Sequence, residues 1–581
     1  MKEVISIGYI NGIEDTIRKR VGKNVFCREY RSSIMLEGLV NNWEEVVKAG
    51  YIAAKSNYKG VINNLKYTDM KEIKYSKPKE RDLSLEGKNY NVIIIGAGII
   101  GCSIARELSK WDISILLLDK EEDVAMQTSS RNDGMIHPGF APKVGSLKSK
   151  YNVLGNKLYT DISKELGVKI NRCGSNMLFD KKWVKVIWPY IRNKSKRVGI
   201  EDVRKLGISE LKEIEPNISE DIKWGVHIPS TAVTSPYKMT IAYAENAINN
   251  GVDIALNTMI EDISVEKNKI VSVKTNKGEI KTDLIVNAAG VFADEIADMA
   301  GDRFFTIHPR KGEIILLDKK KGHLLNSVIG KVTIGTNNSH SKGGGLVKTL
   351  EGNILVGPDA YEQPDKEDYS TNMSNVNNLL KKHLPLIKGL NRTDIITYCA
   401  GSRAATYKED FLIEKSEYLE NMIYAAGIQS PGFAAAPAIS KEIERLTVQV
   451  LKKNLMVKKK EHWNGIRNAT PNMMELTIEE KNQVIKKNPN YGTIVCRCEG
   501  ISRGEIIDAL KSPIPVRSVD GIKRRTRAGM GRCQGGFCMP LVMEIMEKEG
   551  HIPFKDITKK GGESKVISDK TKNNDEVEIH V

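Results

Sequence analysis

The spacing of apolar residues changes several times in the first 85 positions. Residues 4–10, VISIGYI, read as a strand, and residues 13–21, IEDTIRKRV, as a short helix. SSIMLEGLV alternates as a half-buried strand does, NWEEVVKAGYIAAKSN carries helical spacing, and GVINNLKY closes the segment as another strand. This pattern predicts a small α/β module over 1–85, with the polar stretch 71–89 as its linker. Beyond it, Val92 to Ile95 forms a β-branched run, a helical stretch follows, and Ile113 to Leu118 forms a second run that ends on Asp119. Further on, GEIILLD, SVIGKVTIGT, GGGLVKTL and NILVGPDA are short strand-like runs joined by Gly and Asn turns, the pattern of an antiparallel sheet.

Between the first two apolar runs lies Gly96-Ala97-Gly98-Ile99-Ile100-Gly101, so strand, glycine turn, helix, strand and acid follow in the order of a dinucleotide-binding βαβ unit. Gly96 permits the tight turn, Gly98 lets a pyrophosphate approach the backbone, and Gly101 lets the helix pack on the sheet. Asp119 is placed to bind a ribose diol. The unit alone serves FAD or NAD equally well.

Length and composition narrow the class. A chain of 581 residues exceeds one ordinary core and predicts several domains. No apolar stretch has membrane-spanning length, and the N-terminus lacks the apolar core of a secretory signal, so a cytoplasmic protein is expected. The net charge of +16 is spread along the chain. It fits a solvated lysine-rich surface, an anionic substrate, an acidic partner or peripheral contact with the inner face of a membrane. No nucleic-acid-binding module is present, so DNA and RNA are not expected partners. Of the eight cysteines, Cys27, Cys102, Cys173 and Cys399 are scattered and read as free thiols. Cys496, Cys498, Cys533 and Cys538 are clustered as C-x-C and C-x4-C. Four thiolates suit either a [2Fe-2S] cluster or structural zinc, and the spacing is not the usual C-x2-C of zinc ribbons.

Three further segments carry a family resemblance. Thr128 to Phe140, TSSRNDGMIHPGF, resembles the second cofactor loop of the D-amino-acid-oxidase-like flavoproteins. Thr282 to Asp294, TDLIVNAAGVFAD, is similar to their Ala-Ala-Gly turn, and Met422 to Ser440, MIYAAGIQSPGFAAAPAIS, to their closing glycine turn and helix. The resemblance implies FAD, held by Gly96, Gly98, Gly101, Asp119, Ser129, Ser130, Asn132, Gly134, Gly290, Gly427 and Gly432. It also implies that the helix start after Gly432 lies near the pyrimidine edge of the flavin. HPRKGEIILLD and CAGSRAATYKEDFLIE resemble the family's substrate-side segments, which makes Arg310 and Arg403 the candidates for holding an anion and Lys311 a poorer one. His137, where the family often faces the isoalloxazine, is the candidate base. TRAGMGRCQGGFC resembles the bacterioferritin-associated-ferredoxin-like [2Fe-2S] domain, which assigns the four clustered cysteines to iron. IMLEGLVNNWEEVVKAGYIAAKSNYKGVINNLKY resembles the BON domain, linked to phospholipid surfaces or other macromolecules.

The expected architecture is therefore α/β. A Rossmann-type FAD-binding domain and an antiparallel or mixed-sheet substrate domain occupy 86–455, with FAD parts about 90–150, 280–302 and 420–450 and substrate parts about 151–280 and 303–420. The small α/β module precedes them. A linker over 456–490, a small helical iron–sulfur domain over 491–552 and a flexible tail over 553–581 follow. The resemblance implies a dehydrogenase of a small anionic hydroxy compound, glycerol 3-phosphate first, with electrons leaving through the cluster to a partner subunit or quinone. No second glycine motif follows a strand, so NAD is not the expected acceptor. An L-2-hydroxyglutarate or other 2-hydroxy or amino acid dehydrogenase, and a redox-sensing scaffold, are the alternatives.

Overall fold

The computed structural model of the chain describes residues 2–332 and 343–568. The C-terminal part of the expected strand SVIGKVTIGT and residues 569–581 of the expected tail lie outside them. The chain divides into two compact units, one of residues 1–120 and 124–467, the other of 121–123 and 468–581.

A six-stranded sheet organises the first unit, in the order Asp253–Ala255, Ile115–Leu118, Val92–Ile95, Ile285–Asn287, Met422–Ala426, Leu412–Lys415. Its first five strands are parallel and the last is antiparallel. Val92–Ile95 and Ile115–Leu118 are buried at every position, which is why they are unbroken apolar runs instead of alternating ones. Ile93, Ile95, Leu116 and Leu118 face a second, smaller sheet and share its core of Ile260, Ile263, Val273 and Ile280. On the other face the helix Ile99–Leu108 packs so closely that a Cβ on Gly101 would lie 1.8 Å from the Gly96 carbonyl oxygen. The helix Gly432–Leu451 packs beside it and against the helix Leu147–Leu166.

The expected mixed sheet has nine strands, nearly all antiparallel, with one parallel pair between Ser175–Phe179 and Val328–Lys331. Its longest strand pair exceeds what the sequence runs suggest. Ile307–Leu317 pairs with Ile395–Thr406, and the register sets Arg310 opposite Arg403 and Gly312 opposite Gly401.

The N-terminal module corrects one expectation. Residues 4–10 are not a strand but the start of a helix, Lys2–Arg20, that absorbs the shorter helix predicted after it. Ile10, Ile13 and Ile17 recur at helical spacing, and Ile10 and Ile17 are buried. Gly12 looks like a break, yet in a helix it costs only about 1 kcal/mol. Ser33–Val40, Trp43–Ala53 and Gly60–Asn63 form the strand, helix and strand that the pattern predicts, and Val25–Tyr30 adds an antiparallel edge strand.

The second unit has its own core, built from Ile506, Ile522, Val542, Met546 and Ile557 among others. Two expectations change here. The presumed linker contains a helix, Ile478–Lys487, opened by a capping box in which Thr477 and Glu480 satisfy each other's backbone. The presumed tail is packed through its first part: Ile557 is fully buried, and Val566 and Ile567 pack against the core. Asp123 is buried in this unit and accepts hydrogen bonds from Arg524 and Arg525 at 2.7 and 2.8 Å.

Gly101→Ala is expected to destabilise the first unit by about 2–4 kcal/mol, because the contact it creates is with backbone. Thermal unfolding checks this, and a wild-type Tm would contradict the close packing described here.

Candidate active site

The glycine turn is braced from both sides. Gly96 adopts φ +104°, and a side chain there would meet the Ala288 carbonyl of the neighbouring strand at 2.5 Å. Asp119 accepts the Ala97 N–H at 2.6 Å, and Ser129 Oγ accepts the Ile99 N–H at 2.8 Å. Ser129 thus caps the helix that Gly98 begins, and its own hydroxyl proton still has a direction to give. Gly290, at φ +58°, has nothing within 4 Å of where a Cβ would stand, so the second turn borders open space. Ser130 and Asn132 turn inward: Ser130 donates to the Gln127 carbonyl, while Asn132 donates to those of Thr128 and Ser129 and accepts from the Gly134 N–H. They shape the loop. Gly134 itself backs onto the Thr234 carbonyl.

This loop meets the substrate-side strand pair. Thr128 Oγ1 donates to the Ser402 carbonyl at 2.6 Å, and Gly401 leaves room for the Arg131 carbonyl. Ser402 Oγ is buried without a hydrogen-bond partner. Arg403 lies across Gly312, where a Cβ would stand 2.5 Å from the guanidinium. Its donors reach only two carbonyl oxygens, of Asp359 at 3.0 Å and Lys311 at 3.3 Å, and among the described residues it has no ion pair. Burial, with the cationic Arg310 beside it, lowers its pKa from the usual arginine value. Its hydrogen bonds therefore go to neutral groups alone, while the carboxylates of Asp133, Asp359 and Glu362 act on it through space.

Arg310 is placed differently. Its guanidinium donates to Glu362 at 2.8 Å, to Gln429 Oε1 at 2.9 Å, to the Tyr51 hydroxyl at 2.5 Å and to Glu409. All three nitrogens are engaged, so the structure places Arg310 inside a buried ion cluster. Lys148 reaches Glu409 at 3.4 Å, and His308 Nδ1 lies 2.7 Å from Glu362. Burial opposes the charge on Glu409, yet Arg310, Lys148 and Tyr51 hold its carboxyl well below the usual range. Lys311 is likewise paired, with Asp368 at 2.9 Å and Ser370 at 3.1 Å.

His137 follows the short strand Met135–Ile136, half-buried, and its carbonyl accepts the side-chain amides of Asn152 and Asn156 on the helix Leu147–Leu166. The closing loop arrives at the same region: Gly427 lies against Thr406, Gly432 against Ile428, and Gln429 against Arg310. The helix Gly432–Leu451 starts with no side-chain cap, which leaves its positive end for a ligand.

In the second unit the four clustered cysteines come together as two pairs. Cys498 and Cys533 lie 3.7 Å apart, and Cys538 hydrogen-bonds Cys496. The Cys538 thiol and the backbone N–H groups of Gly529 and Glu499 hold Cys496 down to about 6 against the effect of burial, and the N–H groups of Phe537 and Gly535 lower Cys533. Among the described residues no three His, Cys, Asp or Glu side chains are grouped around one metal ion. A two-iron cluster divides its four ligands between two metals.

Comparison with known proteins agrees with this geometry. The family described as FAD dependent oxidoreductase matches residues 91–446, which is more than half of the chain. The chain belongs to this family. A BFD-like [2Fe-2S] binding domain matches residues 494–548 of this oxidoreductase. A glycerol 3-phosphate dehydrogenase of Caloramator mitchellensis is 39% identical over 83% of this chain and 99% of its own length. Anaerobic glycerol-3-phosphate dehydrogenase subunit A1 of Haloferax volcanii is 24% identical over 78% of this chain and 81% of its own. Among solved structures, the dithionite-reduced L-alpha-glycerophosphate oxidase of Mycoplasma pneumoniae with FAD bound aligns at a TM-score of 0.60 and 29% identity, covering 66% of this chain and all of that one.

FAD and a [2Fe-2S] cluster are thus the cofactors of this FAD dependent oxidoreductase. The residues present fit both. The open space at Gly290, the uncapped start of Gly432–Leu451 and the orphaned Ser402 Oγ suit a polar dinucleotide, and the paired thiols and inward N–H groups suit a cluster. No described helix is long and apolar enough to cross a membrane. Sequence reasoning missed Glu362, Glu409, Gln429 and Tyr51. Glu409 and Gln429 lie inside segments already singled out, but nothing local marks them as partners of Arg310.

The depressed pKa of Glu409 fixes a pH dependence. Its ion pairs stabilise the fold fully above the ordinary glutamate value of 4.5 and are lost as pH falls toward the lower folded value. Glu409→Gln is expected to cost about 2–4 kcal/mol near neutrality and to flatten the loss of Tm between about pH 5 and about pH 3. A variant that follows the wild-type pH profile at constant offset would contradict this.

Proposed function

We propose that the chain oxidises glycerol 3-phosphate to dihydroxyacetone phosphate and delivers the electrons to a partner subunit or quinone. The observation that carries the reading is Arg403, a half-buried guanidinium that donates to carbonyl oxygens and forms no ion pair among the described residues, on the strand that meets the loop of Thr128. The named relatives supply the substrate. FAD, when bound, supplies a hydride acceptor, and the cluster supplies an outlet for single electrons.

The chain's own residues prepare the reaction. Arg403 holds the phosphate dianion by a two-point contact and so fixes the carbinol C–H. His137 takes the hydroxyl proton, its backbone held by Asn152 and Asn156. The N-terminus of Gly432–Leu451 stabilises negative charge that develops beside it. Cys496, Cys498, Cys533 and Cys538 hold the iron. Arg310 positions neighbouring groups instead of binding substrate.

We assign 1–85 as a BON-like module, 86–455 as the oxidoreductase domain and 491–552 as the cluster domain. Ser33–Val40, Trp43–Ala53 and Gly60–Asn63 keep the order of that resemblance. The contact of Tyr51 with the ion cluster favours work inside the enzyme over docking to a membrane.

Anaerobic mixing with a substrate panel, read by flavin absorbance, tests the assignment. Bleaching is expected with glycerol 3-phosphate and not with L-2-hydroxyglutarate. The reverse would replace the substrate, and no bleaching by any member would favour a redox-sensing scaffold. Arg403→Lys is expected to lower kcat/KM roughly 10- to 100-fold, and an unchanged value would remove Arg403 from the site.

A further inference from the structure

Tyr51 belongs to a module that lies outside the residues matched by the oxidoreductase family, yet its side chain ends among the groups that hold the flavin-side loop. Its hydroxyl donates to Glu409 at 2.7 Å and accepts from Arg310 at 2.5 Å. Burial pushes that hydroxyl well above the ordinary tyrosine range, so it keeps its proton and remains a donor. Arg310 and Glu409 in turn grip both ends of one amide: Gln429 Oε1 accepts from Arg310 at 2.9 Å, and Gln429 Nε2 donates to Glu409 at 2.7 Å. The Gln429 carbonyl accepts the Gly432 N–H at 2.6 Å, at the first residue of the helix Gly432–Leu451. An unbroken chain of hydrogen bonds therefore runs from the N-terminal module to that helix start.

The same turn reaches the other side of the site. Asp410 accepts the N–H groups of Leu147 and Lys148, both at 2.9 Å, at the start of the helix whose Asn152 and Asn156 hold the His137 carbonyl. Glu409 holds this position at φ +58°, a left-handed conformation that a non-glycine residue adopts only when its surroundings over-determine it. Its side-chain bonds to Arg310, Tyr51 and Gln429 supply that determination. Removing one of them releases a strained residue that sits between two helix starts.

We propose that Tyr51 is a positioning residue for the flavin site: its hydroxyl completes the Arg310–Glu409 cluster and, through Gln429, fixes the loop that begins the helix Gly432–Leu451. The N-terminal module is then a working part of the oxidoreductase. The proposal deepens the function proposed above and rests on its placing of the flavin beside this helix, but its decisive readout needs no substrate.

Tyr51→Phe in the full-length holoenzyme keeps the ring, which packs edge-on against His308 and Tyr407, and removes only the hydroxyl. In a dithionite titration, the midpoint potential and visible spectrum of the bound FAD are expected to shift from wild type. With glycerol 3-phosphate, kcat is expected to fall roughly fivefold while KM stays within about twofold, because Arg403 is untouched. Leu39→Gln, at an exposed position of the same module, should change none of these. A Y51F enzyme with wild-type potential, spectrum and kcat overturns the proposal even if its Tm falls, since a merely structural role moves Tm alone. Should Y51F not fold, Glu409→Gln decides: a shifted potential supports the relay and an unshifted one overturns it. If glycerol 3-phosphate fails to bleach the wild type, the proposed substrate falls, and the dithionite titration still decides the role of Tyr51.

Discussion

Burying Arg310 obliges the fold to bring carboxylates to it, because an unpaired guanidinium in the interior costs several kcal/mol. Glu362 comes from the adjoining edge of the large sheet, Glu409 from the turn after the paired strand, and Tyr51 from the N-terminal module. With Gln429 of the closing loop they form one cluster, in which each member's position depends on the others. Directly across the strand pair, Arg403 donates to two carbonyl oxygens and, among the described residues, forms no ion pair. The two arginines are the same residue type on facing strands, and their partners differ: carboxylates, an amide and a hydroxyl for Arg310, carbonyl oxygens for Arg403.

Much of the cofactor architecture is legible in the linear sequence because its constraints are local. A turn without side chains at Gly96 and Gly101 can be read from six residues, and the structure puts backbone where those side chains would be. Four cysteines in two close-spaced pairs likewise announce a metal site without tertiary information, and the surrounding TRAGMGRCQGGFC string narrows it to iron. Arg310 shows where such reading stops. Its partners lie 52, 99, 119 and 259 positions away along the chain, and no pattern near HPRKGE distinguishes it from Arg403. The helix Lys2–Arg20 was obscured for another reason: seven apolar-rich residues carry strand and helix signals together, and packing of Ile10 and Ile17 decides between them. The helix Ile478–Lys487 did leave a local trace, the Thr477–Glu480 capping box, within a stretch whose lysine content reads as linker.

The redox groups are served by unlike means. At the flavin end the protein offers an uncapped helix start, glycine turns and the half-buried Arg403, groups that suit phosphate or developing negative charge. At the cluster end it offers four cysteines, of which Cys496 is lowered to about 6 by the Cys538 hydrogen bond and backbone N–H groups, and Cys533 is lowered by backbone N–H groups. In the proposed reaction they are successive stations for electrons taken from one anionic substrate. The decisive measurement is anaerobic addition of glycerol 3-phosphate to the full-length enzyme, followed together by flavin absorbance and by the paramagnetic signal of the reduced cluster. The flavin is expected to bleach and the cluster signal then to appear, and Cys533→Ser to abolish the signal while leaving the bleaching intact. A cluster that dithionite reduces but that stays oxidised beside a fully bleached flavin would contradict the proposed reaction.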